Sequence, residues 1–106
     1  MSLNGLEIGI VIPAFNEEKT IESTIIALKK LPEIDRILVV DDGSSDKTSQ
    51  KATAAGAEVL TLEQNSGKAK AMQEGYEALC CPVLVFIDAD LGETAQEAIE
   101  LIKPVC

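Results

Sequence analysis

Four short runs of aliphatic, largely β-branched residues punctuate this chain, at Ile8 to Ile12, Ile37 to Val40, Val59 to Leu62 and Val83 to Ile87. Three of them are nearly continuous in apolar character instead of alternating, which is how a strand reads when both of its faces are covered. A sheet covered on both faces calls for parallel strands, and a parallel connection needs a crossover of a dozen or more residues. The third run is the weakest and is placed nearer an edge.

Helical patterns fill the gaps. From Asn16 to Leu31 the residues Ile21, Ile25, Leu28 and Leu31 share one face, with Glu17 and Glu18 in the first turn, Lys29 and Lys30 in the last, and Pro32 as the stop. A second helix runs from about Asp46 to Ala55, capped by Ser44 or Ser45 and closed by Gly56. The third, capped near Ser66, carries Ala69, Met72, Tyr76 and Leu79, while Gly75 lets it approach the sheet closely. After Gly92, Thr94 and Glu97 have capping-box spacing, Ala95, Ala98, Ile99 and Ile102 form a stripe, and Pro104 ends it. The order βαβαβαβα with right-handed crossovers predicts an α/β fold: a Rossmann-like, open, mostly parallel sheet of about four strands with helices on both faces. At 106 residues, the span 1–106 forms one domain around one core.

Nine basic against eighteen acidic residues give a net charge of −9, which argues against nucleic acid as a partner. The longest apolar stretch, Pro82 to Ile87, is too short to span a bilayer, and the N-terminus has no signal-peptide pattern, so the chain reads as cytoplasmic. Cys80 and Cys81 are adjacent, a poor geometry for a bridge, and with Cys106 they read as reduced, small buried hydrophobes. With no histidine and no C-x-x-C spacing, zinc and dithiol redox sites have no support.

In such a sheet, ligands bind beyond the carboxyl ends of the strands, where the strand order reverses. The segments there are Pro13-Ala14-Phe15-Asn16-Glu17-Glu18, Asp41-Asp42-Gly43-Ser44-Ser45-Asp46 and Asp88-Ala89-Asp90-Leu91. Ser44, Ser45 and Asp46 are read as helix caps. Asp88 and Asp90, two apart at a strand end, point to the same side with no basic neighbour in sequence, so their like charges call for a cation. A hard divalent ion, Mg²⁺ or Mn²⁺, suits two carboxylates and completes its shell with phosphate oxygens and water. Neither a G-x-G-x-x-G nor a P-loop pattern is present; Gly67-Lys68, opening the third helix, comes nearest.

Together, Val11-Ile-Pro-Ala-Phe-Asn-Glu-Glu18, Val39-Val-Asp-Asp-Gly-Ser-Ser-Asp-Lys-Thr48, Asn65-Ser-Gly-Lys-Ala-Lys-Ala71 and Val85-Phe-Ile-Asp-Ala-Asp-Leu91 resemble the N-terminal half of family 2 glycosyltransferases, most closely the polyprenyl-phosphate sugar transferases. The resemblance implies a GT-A fold binding a nucleoside-diphosphate sugar, linked to UDP or GDP. It implies that Phe15 offers a ring to the nucleobase, although core packing explains that residue equally well. It implies that Asp42 accepts a hydrogen bond from an N–H on the base edge while Asp41 braces the turn. Pro13, Asn16 and Glu17 after the first strand, and Ala89 between the two aspartates, are then part of the nucleotide site. Lys68 matches a basic residue near the nucleotide, and Asp88 and Asp90 match the pair whose metal carries the diphosphate. Ala69 stands where many relatives have glycine.

Family members continue into a half that binds the acceptor and, in inverting members, supplies a carboxylate base. Glu93, Glu97 and Glu100 fall on a helix where a solvated role is expected, so no base is assigned. The expectation is a sugar-nucleotide-binding domain lacking its acceptor half, with self-association of the uncovered faces. A polyprenyl-phosphate acceptor would bring the full-length protein to a membrane surface. The alternative is a non-catalytic nucleotide-binding or assembly module of the same fold. Sugar-nucleotide pyrophosphorylases rank third, because their glycine-rich, arginine-containing loop after the first strand is missing.

Overall fold

Strand and helix alternate along the chain as the spacing predicts. In the computed structural model, which describes residues 7–95, β1 (Ile8–Ala14), α1 (Ile21–Lys29), β2 (Arg36–Asp41), α2 (Thr48–Ala54), β3 (Glu58–Thr61), α3 (Lys68–Ala78) and β4 (Val83–Phe86) follow in order, and a 3₁₀ turn spans Gly92–Thr94. The four strands are parallel in the order β3-β2-β1-β4, with Val11 beside Leu38 on one side and Phe86 on the other. The weak third run is indeed an edge strand. The chain builds outward from β1 through β2 to β3 and then crosses back to lay β4 against β1, so the order reverses between β1 and β4.

Alternate residues of the central strands feed two cores, which is why their sequence reads as continuous. Ile10, Ile12, Ile37 and Val39 pack with Ile21, Ile25 and Leu28 of α1 and Ala52 of α2. On the opposite face Val11, Leu38 and Val40 pack with Ala71 and Leu79 on the α3 side. The expectation for Gly75 holds: a Cβ there would stand 2.4 Å from Val11 Cγ1, so α3 lies on the sheet at a distance that only glycine permits.

Several expectations are corrected. The first helix starts at Ile21 and not near Asn16, because Asn16 takes φ +53° and the Glu17 carbonyl accepts the Thr20 and Ile21 N–H groups at 3.1 and 2.9 Å, closing a tight turn. Ser44, Ser45 and Ser66 cap no helix: α2 starts at Thr48 and α3 at Lys68, each without a side-chain hydrogen bond from its N-cap. The inward face of α3 is Ala71, Gly75 and Leu79; Ala69 and Tyr76 are exposed, since a helix held this close turns its smallest side chains to the sheet.

Cys80 is exposed and Cys81 half-buried, not core residues, because both lie in the connection from α3 to the edge strand β4; both are free. Thr94 sits inside the 3₁₀ turn and its hydroxyl donates to the Leu91 carbonyl at 2.6 Å. The rest of the fourth helical stripe, Ala98, Ile99 and Ile102, with Glu97, Glu100 and Cys106, lies outside the described residues. No helix among the described residues is long and apolar enough to cross a membrane.

Candidate functional site

The reversal between β1 and β4 brings three loops to the carboxyl edge of the sheet, and hydrogen bonds lock two of them together. Asn16, in its left-handed conformation, donates its N–H to Ser44 Oγ at 2.8 Å and accepts the Ser45 N–H on Oδ1 at 2.9 Å. The Glu17 N–H donates to the buried Thr48 Oγ1 at 2.9 Å, and Glu18 Oε1 accepts the Lys47 N–H at 3.1 Å. Asp46 takes the hydroxyl and N–H of Thr48 and the N–H of Glu18. Burial opposes its charge, yet these donors outweigh burial and hold the carboxyl below its ordinary value. Glu17 and Glu18 therefore serve a loop junction and not a first helical turn.

Asp41 braces the turn as expected, accepting the Ser44 N–H at 2.8 Å and the Ser49 hydroxyl at 2.5 Å. Asp42 is only 3% exposed, and its carboxylate is turned to the loop that leads into α3. It accepts the N–H groups of Ser66 and Gly67, both at 2.8 Å, and the Asn65 amide at 3.1 Å. Next to it, Gly43 at φ +77° lets that loop pass over: a Cβ there would be 2.6 Å from the backbone of Gln64 and Asn65. The loop that leads into α3 is thus tethered to the end of β2 through the Asp42 carboxylate. Sequence spacing gave no hint of this.

These loops enclose a cavity of about 310 Å³ at the carboxyl edge. Of the residues expected there, Pro13, Phe15, Glu17, Asp42, Lys68, Asp88, Ala89 and Asp90 line it, and Asn16 does not. Asn65 and Gly67 also line it and went unassigned, although their N-S-G-K run before a helix carries the turn-residue signal. Phe15 is 46% exposed, which excludes core packing as its role.

Ile87 and Ala89 are buried while Asp88 and Asp90 stand exposed, so the two carboxylates face the same way. They have no basic neighbour in sequence, but the fold brings one from α3: Lys68 Nζ donates to Asp88 Oδ1 at 2.5 Å. This hydrogen bond and the charge of Asp88 raise the Lys68 ammonium above its ordinary value. Both side chains are more than half exposed, so the pair is held weakly and exchanges readily for other partners. Burial, and then the charges of Asp90, Asp46 and Asp88, push the Glu17 carboxyl up, the mark of a rim with crowded negative charge. Among the described residues no group of three or more acidic or cysteine side chains is arranged to hold a metal ion. An ion at Asp88 and Asp90 would therefore draw much of its shell from ligand oxygens and water, the usual habit of Mg²⁺.

The glycosyl transferase family 2 sequence profile matches residues 9–104. Glucosyl-3-phosphoglycerate synthase from Mycobacterium tuberculosis is 40% identical over 96 residues, covering 82% of this chain and 30% of that protein. Undecaprenyl-phosphate 4-deoxy-4-formamido-L-arabinose transferase from Serratia proteamaculans is 31% identical over 107 residues, covering 92% and 33%. A crystal structure of the M. tuberculosis synthase in complex with Mn²⁺, UDP and phosphoglyceric acid superposes with a TM-score of 0.83 at 36% identity, over 92% of this chain and 37% of that one. The chain spans about a third of the length of these relatives. With the profile running from the first strand past the 3₁₀ turn, this chain belongs to glycosyl transferase family 2.

Proposed function

We propose that this chain forms the donor-binding part of a glycosyltransferase and holds a nucleoside-diphosphate sugar, UDP-linked, across the carboxyl ends of β1 and β4. One observation carries the reading: Asp88 and Asp90 point outward at the sheet's reversal, around the same cavity as Phe15 and Lys68. The choice of UDP over GDP rests on the complex of the M. tuberculosis relative.

The donor set fits Mg²⁺ or Mn²⁺, with Asp88 and Asp90 as the protein ligands. When bound, such an ion neutralises charge that develops on the leaving diphosphate as the sugar C1–O bond breaks. Lys68, freed from Asp88, is within the same cavity and supplies a second positive charge to the phosphates. The exposed ring of Phe15 offers a stacking face to the base. Asp42 Oδ1 accepts one N–H from Ser66 and retains a lone pair for a donor on the base edge. Both relatives are named for phosphate-bearing molecules, so the whole enzyme's acceptor is proposed to carry phosphate. The free thiols of Cys80 and Cys81 suit a reducing, cytoplasmic setting.

Calorimetric titration of UDP and GDP, each with and without Mn²⁺, tests this reading. UDP binding that requires Mn²⁺, and that Mn²⁺ no longer supports in Asp88→Ala and Asp90→Ala with the melting transition retained, is the expected result. Unchanged Mn²⁺ dependence in both variants removes the metal pair, and no binding of either nucleotide removes the donor site.

A further inference from the structure

We infer that Thr24, in the middle of α1 and far in sequence from the Asp88-Ala89-Asp90 turn, is the residue that positions that turn; the functional part of this inference rests on the metal role proposed for those aspartates. Thr24 is the polar member of a buried face otherwise made of Ile21, Ile25, Ala27 and Leu28, and it is 0% exposed. A threonine inside a helix ordinarily returns its hydroxyl to the carbonyl four residues back. Here the Thr20 carbonyl lies at 3.0 Å, but the Ala89 carbonyl, 65 residues away, lies closer at 2.7 Å. The same oxygen accepts the Gly92 N–H at 2.8 Å. One hydroxyl thus holds the turn at two points, on the carbonyl between the aspartates and on the amide two residues beyond Asp90.

The rest of the turn is fixed from the sheet side, where the Ile87 N–H donates to the Val11 carbonyl at 3.0 Å. Gly92 adopts φ +57°, and its N–H meets the helix. The two exposed carboxylates therefore project from a backbone segment clamped between β1 and α1. The backbone that carries them is held by the Thr24 hydrogen bonds, and the Lys68 contact of Asp88 lies on the exposed side chain beyond it. A hydroxyl so placed orients metal ligands as an outer-shell partner does, and loss of such a partner weakens metal affinity about 10-fold or more.

The test uses the full chain with Thr24→Val, which keeps the shape without the hydroxyl, and Thr24→Ser, which keeps the hydroxyl. Two measurements are made: amide hydrogen exchange at Gly92 without metal, and the Mn²⁺ concentration that gives half-maximal UDP binding. Expected in Thr24→Val are loss of Gly92 protection and a rise of about 10-fold in the Mn²⁺ requirement, both restored in Thr24→Ser. A structural role alone would lower the melting temperature with the Mn²⁺ requirement unmoved, and that result overturns the inference. So does a Thr24→Val protein with a protected Gly92, or a Thr24→Ser protein that fails to recover. Thr24→Ala removes the hydroxyl without bulk and takes the place of Thr24→Val if the latter does not fold. Wild-type protein without Mn²⁺-dependent UDP binding defeats the metal role proposed for the aspartates, while the exchange measurement still decides whether Thr24 holds the turn.

Discussion

Replacing Gly75 with alanine sets two effects of opposite sign against each other. In an exposed helix the substitution stabilises by about 1 kcal/mol, because alanine has less backbone freedom to lose. Here the new Cβ would sit 2.4 Å from Val11 Cγ1 and 3.1 Å from Val40 Cγ2. The first distance is about 1 Å short of ordinary carbon contact. Neither valine can yield cheaply: both are fully buried, and Val11 lies in β1, with β2 and β4 on its two sides. Overpacking of this kind costs about 1–3 kcal/mol, and a gap this short puts it at the upper end, so Gly75→Ala loses about 2 kcal/mol net.

Urea unfolding reads this as a midpoint lowered by about 1 M. Val11→Ala removes the shorter of the two contacts, leaving that with Val40, and alone costs about 2 kcal/mol. Combined with Gly75→Ala it should recover at least about 1 kcal/mol relative to the sum of the two, the sign of coupling expected of touching residues. A Gly75→Ala protein as stable as wild type, or additivity in the double variant, would refute a helix pressed onto the sheet at this point.

Arg36 and Glu58 join β2 to β3 through two hydrogen bonds of 2.9 and 2.7 Å, and the hydrogen bond from Arg36 holds the Glu58 carboxyl below its ordinary value of 4.5. The folded state then binds fewer protons, so this contribution is present above pH 4.5 and is lost as pH falls through the folded value. Glu58→Gln should be slightly less stable than wild type at neutral pH and should converge with it in acid; a difference independent of pH contradicts the pairing. Burial first, then Glu7, pushes the Cys81 thiol up, whereas Cys80 is exposed. Alkylation followed by peptide mass mapping should label Cys80 first, and equal rates would argue against this placement.

The strands and their parallel direction were legible because Ile10 and Ile12 serve one core and Val11 the other, leaving an unbroken apolar run that few other arrangements explain. Helix faces were harder to read. Periodicity assigns the inward side to the bulky Met72 and Tyr76, but the approach allowed by Gly75 inverts that rule and leaves Tyr76 65% exposed. The strand-end residues of the cavity were legible from position alone, as the rule for open sheets predicts. What could not be read was which of those side chains the protein uses for itself. Asn16 and Asp46 stitch loops together, Lys68 reaches an aspartate twenty residues away, and Thr24 reaches further still. Such bonds depend on the loops' final paths, and local sequence does not encode them.

Asp42 has a consequence for the energetics of capture. Its inward carboxylate binds the Asn65–Gly67 segment to the end of β2, so the wall of the cavity is ordered before any ligand arrives. The entropy lost in fixing that wall belongs to the folding equilibrium, and a ligand entering the cavity need not repay it. The nucleotide proposed for this cavity should then bind with little conformational adaptation on this side, nearer to lock and key than to induced fit. Selectivity among bases would reside in a rigid edge whose shape is inherited from the fold.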